Sequence, residues 1–154
     1  MASVIPYYDP ILVAIRLKLI SDPILCSFSC WTVGGSPDVY PGYVNSITNP
    51  NYPSITIIKD YDQTLTNRTG YGYLMYYVHG WLKQDSGQSN DPLNDISYLF
   101  NITRNALDLQ VIDDRIPVIR LVNSQCPLYD ETTRTYYFMS KYKVICNNSI
   151  FEKV

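Results

Sequence analysis

Two acids one residue apart, a single histidine, four cysteines and a ladder of tyrosines are the side chains of this 154-residue chain whose types and spacing could do chemistry. Asp60 and Asp62 follow the apolar pair Ile57-Ile58 and precede Thr64-Leu65. On their own these carboxylates read as an acidic strand end entering a turn. His79 is the only histidine, which excludes a multi-histidine metal site and any two-histidine mechanism. It leaves a cysteine-histidine dyad, or a packed member of an aromatic ladder between Val78 and Trp81. Cys26, Cys30, Cys126 and Cys146 lack the close pairs of a metal knuckle. On a strand Cys26 and Cys30 would lie about 13 Å apart, too far for a disulfide, so buried free thiols are expected.

The segment Ile57-Ile58-Lys59-Asp60-Tyr61-Asp62-Gln63-Thr64-Leu65 resembles the first motif of haloacid dehalogenase-type phosphatases, an apolar strand ending in Asp-x-Asp-x-Thr. The resemblance implies Asp60 as nucleophile, Asp62 as general acid and base, and a Mg²⁺ ion screening the phosphate, with Asp113-Asp114 as an acidic metal-binding counterpart. It also implies a parallel sheet with helices between strands, whereas the residues after Leu65 read as a turn and another strand.

The run Tyr71, Tyr73, Met75, Tyr77, His79, Trp81 alternates with Gly72, Leu74, Tyr76, Val78, Gly80, Leu82. Such a set can form a cross-strand ladder that stabilises a sheet, or can line a sugar-binding groove with Tyr71, Tyr73, Tyr77 and Trp81. The Gly70-Tyr71-Gly72 triplet lacks the rest of a phosphate loop and carries no nucleotide signal.

The elements that must position these residues are mostly strands. Period-two alternation predicts strands at 13–19, 24–33, 55–61, 71–82, 106–112, 116–122 and 133–146. One helix is expected from Asp91 to about Asn105, because Asp91 can cap, Pro92 fits the first helical position, and Leu93, Ile96, Leu99, Phe100 and Thr103 recur at helical spacing. Residues 34–53, broken by Gly-Gly-Ser-Pro-Asp, Pro-Gly and Asn-Pro-Asn-Tyr-Pro, read as a long loop or arm. The expected fold is mainly β: one domain over 1–154, an antiparallel two-sheet sandwich of jelly-roll or Greek-key type with one short helix.

Charged residues make up 17% of the chain and the net charge is −2, which gives no footprint for a polyphosphate backbone, so no nucleic-acid partner is expected. The apolar run from Ile11 to Ile20 is interrupted by Arg16 and Lys18, so neither a signal peptide nor a membrane span is expected at the start. The mature chain is expected to begin near Met1. Tyrosine supplies 15 residues, and Asp22 and Asp38 are the only charges between Leu19 and Ile58. Protein interfaces favour aromatic residues and deplete charge.

These features fit a non-enzymatic structural subunit with no cofactor, whose partners are other protein subunits in a homo- or hetero-oligomer. By analogy of fold and composition it would be a virion component (minor capsid, penton or head-to-tail joining), located in the particle or in the cytoplasm of the producing cell. Its expected interface anchors are Tyr7, Tyr8, Trp31, Tyr40, Tyr43 and Tyr52. A carbohydrate- or ligand-binding module is the alternative, and the phosphatase-like enzyme a third.

Overall fold

The computed structural model describes residues 10–42, 50–66, 71–85, 87, 89–113 and 116–147. The chain runs through α1 (Pro10–Ser21), α2 (Pro23–Cys26), β1 (Val39–Pro41), β2 (Ser54–Thr66), β3 (Tyr71–Lys83), α3 (Pro92–Leu107), β4 (Val118–Asp130) and β5 (Thr135–Asn147). These strands form one five-stranded sheet in the order β1-β2-β3-β5-β4. Only the β1–β2 pairing is parallel; β2–β3, β3–β5 and β5–β4 are antiparallel. Two long hairpins, β2–β3 and β4–β5, are joined through α3, and β5 inserts between β3 and the edge strand β4.

The mainly β character holds, but the described residues build a single mixed sheet with helices on one face rather than two sheets face to face. Three expected strands are not strands. Residues 13–19 belong to α1, whose buried side chains are Ile11, Ile15 and Leu19, four apart, while Leu17 is 53% exposed. A strand would have placed Leu17 with Ile15 and Leu19. Residues 24–33 begin with α2, which Asp22 caps by accepting from the Ile24 and Leu25 N–H groups at 3.1 and 2.9 Å. Residues 106–112 start inside α3 and then turn out to solvent, with Leu109 and Val111 67% and 65% exposed.

The helix from Asp91 forms as its residues require. The Asp91 side chain accepts from the Asn94 N–H at 3.3 Å, and Ile96, Leu99, Ile102, Thr103, Ala106 and Leu107 make its buried stripe. That stripe covers the sheet face carrying Ile55, Ile57, Leu74, Tyr76, Val78, Leu82, Phe138, Tyr142 and Val144, and α1 closes the same layer. Gly80 sits opposite Phe138 on this face. A Cβ at Gly80 would lie 1.9 Å from the Phe138 ring, which packs edge-on against Phe100 of α3 with centroids 5.3 Å apart. Glycine is therefore what lets the ring cross the sheet between β3 and α3.

The long edge of β4 is guarded. The Leu109 N–H donates to the Ile119 carbonyl at 2.7 Å, and the Asp108 carboxylate accepts from the Leu121 N–H at 2.8 Å. Leu109 takes a left-handed conformation (φ 61°) to make its contact. Further along, register shifts at Leu121/Asn123 and Gln125/Leu128, together with Pro127, interrupt the ladder. Among the described residues no helix is long and apolar enough to cross a membrane.

Candidate assembly interface

Because side chains alternate along a strand, the sheet has a second face, on which no described helix packs. The register places four rows across it: Ser54, Trp81 and Tyr137; Thr56, His79 and Met139; Ile58, Tyr77 and Lys141; Asp60, Met75 and Lys143. Tyr73 continues the β3 column, and Arg120 of β4 lies opposite Lys143. The face is thus aromatic and sulfur-rich at its centre and basic toward one end.

Its rings pack on one another. Trp81 stacks on Tyr137 with centroids 5.3 Å apart and an interplanar angle of 15°, and meets His79 edge-on at 5.9 Å. Tyr77 lies 5.8 Å from His79. The Lys141 ammonium sits 5.3 Å from the Tyr77 centroid and Lys143 sits 4.2 Å from that of Tyr73. The Asp60 carboxylate accepts from the Tyr77 hydroxyl and pairs with Lys141, each at 3.3 Å. Burial lowers the Lys141 pKa, but the hydrogen bonds and charges of Asp60 and Tyr77 together outweigh it and leave the pKa raised. The Trp81 Nε1–H donates to Thr56 Oγ1 at 2.9 Å.

His79 is 7% exposed and neither ring nitrogen has a hydrogen-bond partner, nor does the hydroxyl of the buried Ser54. Burial lowers the His79 pKa to about 4, so the ring is neutral at pH 7. An open cleft of about 190 Å³ lies beside it, lined by Tyr77, Asn123, Ser124, Gln125, Met139, Ser140 and Lys141. It sits where the β4 ladder slips against β5.

The residues singled out from sequence fall in three places. Tyr73, Tyr77 and Trp81 do share this face, half-buried; Tyr71 lies in β3 but its side chain is outside the described residues. The ring faces that a sugar would stack upon are occupied by Lys143, Lys141 and Tyr137. Trp31 is 2% exposed, with its Nε1–H donating to the Leu25 carbonyl at 2.8 Å and its ring against Phe28 at 5.4 Å, so it anchors the core and has no surface to offer a partner.

Tyr40 and Tyr52 are half-buried. The Tyr40 hydroxyl accepts from the Asn51 N–H at 3.2 Å, and Lys83 sits 4.7 Å above the Tyr52 ring, whose pKa burial raises. The 34–53 loop contains β1, whose contact with α1 includes an Arg16 Nε bond to the Val39 carbonyl at 3.0 Å. Tyr7, Tyr8 and Tyr43 lie outside the described residues. Sequence reasoning missed Tyr137, Met139 and Arg120; their signal was the register of β5 and β4 against β3, which a single strand's pattern does not reveal.

Asp60 does not stand at the end of a parallel strand. It lies within β2, antiparallel to β3, which begins only five residues after β2 ends, and its carboxylate is held by Tyr77 and Lys141. The phosphatase-type arrangement is overturned by that topology; the Asp62 side chain and Asp114 are outside the described residues. Cys26, Cys30 and Cys126 are free thiols. Burial raises the pKa of Cys30 and of Cys126, which suits packing rather than reactivity.

The fold has a counterpart among solved structures. A chain from the virion of a native gene transfer agent particle superposes with a TM-score of 0.65 at 10% sequence identity, over 88% of this chain and 93% of that one. At that identity the likeness is one of fold. No protein-family model and no curated protein matches the sequence.

Proposed function

We propose that this chain is a non-enzymatic structural subunit of a phage-like particle, working by contact with other protein subunits. The observation that carries this reading is the fold likeness to a gene transfer agent virion chain, which takes in nearly the full length of both proteins. The helix-free sheet face supports it independently. That face combines large aromatic and methionine side chains with few acids, as subunit contacts do, and its one acid with a described side chain, Asp60, is held by Tyr77 and Lys141.

The minor capsid, penton and head-to-tail joining readings alike drew on analogy with small jelly-roll subunits, to which a single sheet backed by helices gives no support. As a structural subunit the chain would act in the particle itself. Co-expression with the structural proteins of its source tests this: the chain should co-purify with particles or subassemblies at a fixed copy number. Particles of normal composition from which the chain is absent would overturn it.

A further inference from the structure

Among the described residues the two ends of the sheet differ in charge, although Asp60 offsets Lys141 at the basic end. Arg120 and Lys143 face each other across the β4–β5 pair on the helix-free face, and Lys141 lies two residues along β5. Like charges directly opposite one another destabilise a sheet, yet among the described residues neither Arg120 nor Lys143 is ion-paired. The opposite end of the sheet is acidic. The β4–β5 turn carries Asp130 and Glu131, and it is tied to the segment after β3 by the Gln84 N–H to Arg134 carbonyl bond at 2.9 Å and the Arg134–Asp85 ion pair at 3.2 Å. Asp85, Asp130 and Glu131 outnumber Lys83 and Arg134 there.

The two regions cannot neutralise each other within one molecule. Eight residues of β5 separate Thr135 from Lys143, about 26 Å at strand rise, against a screening length of about 8 Å at physiological salt. From this polarity, and resting on the assembly reading above, we infer that the basic strip of Arg120 and Lys143 docks the acidic Asp130–Glu131 tip of a second copy of this chain. Strip and tip are different surfaces, so the contact is head-to-tail and repeats from copy to copy. Tyr73 and Tyr77, under the lysines, supply the apolar floor on which the incoming turn would seat.

Charge exchange tests the pairing. One variant carries Arg120→Glu and Lys143→Glu; the other carries Glu131→Lys with Asp130→Asn, the amide keeping an acceptor for the Thr132 N–H that Asp130 now holds at 2.9 Å. Self-association is followed by sedimentation at low and high salt, with thermal melting to show that each variant is folded. The wild-type chain should associate more weakly as salt rises, and each variant alone should lose at least about tenfold in affinity. An equimolar mixture, in which the reversed strip meets the reversed tip, should regain most of it.

A mixture as weak as its components, or association indifferent to both variants, overturns the pairing while leaving the structural-subunit reading standing. A wild-type chain that stays monomeric at low salt up to its solubility limit overturns it as well. Failure of the assembly reading shows separately, as absence of the chain from the particle.

Discussion

His79 and Gly80 are neighbours on β3 and point to opposite faces, and each carries a distinct prediction. A buried imidazole without a partner binds its proton less readily in the folded chain than in the unfolded one, so its folded pKa of about 4 lies below the ordinary 6.5. The unfolded state therefore takes up more protons between those values, and stability falls as pH drops from about 6.5 to 4, by roughly 3 kcal/mol in total from this residue. Denaturant melts of the wild type and of His79→Leu across that window should differ in slope, the variant being flatter; parallel pH profiles would show that the ring is solvated. Gly80→Ala drives a methyl into the Phe138 ring and should cost about 2 to 3 kcal/mol. The loss should shrink in a Phe138→Leu background, where the ring that blocks the methyl is gone. A Gly80→Ala protein as stable as the parent would mean that the ring does not cross that position.

Among elements, α3, β3 and β5 were legible because their patterns are clear: a capped 3.6-residue stripe in one, and in the others large side chains recurring at every second position, interrupted in β5 by Ser140. The N-terminal helix was not, because Ile11, Leu12, Val13, Ala14 and Ile15 are all apolar and satisfy either period. What selects the helix is the layer it completes, with Ile11, Ile15 and Leu19 against the core. The start of α2 was readable: Asp22-Pro23 is the same cap and first-turn pair as Asp91-Pro92, outweighed by a run that merely alternates. Likewise half of the candidate interface, Tyr73, Tyr77 and Trp81, could be read from one strand, while the neighbours that cover those rings come from β5 and depend on register. At this scale Asp108 guards the β4 edge. Asp108→Ala should cost about 1 to 2 kcal/mol by leaving the Leu121 N–H without its acceptor and should raise concentration-dependent light scattering as the edge opens. Asp108→Asn should spare most of both, and an Asp108→Ala chain as stable and as monodisperse as the parent would refute the guarding role.

For the whole molecule, one layer of helices covers one face of the sheet, and on the proposed reading the other face carries the contacts, where a partner would meet its rings, Met139 and its lysines. The structural-subunit account therefore places Lys83 and Lys143, on the sheet face, against other subunits in the assembled particle, and leaves Lys18, on α1, outside that contact. The most direct test is covalent lysine labelling of the free chain and of the chain within particles from its source, read by mass spectrometry. The account predicts that labelling of Lys83 and Lys143 falls at least about fivefold on assembly while that of Lys18 is unchanged. Equal labelling of the sheet-face lysines in both states, or protection confined to Lys18, would contradict it.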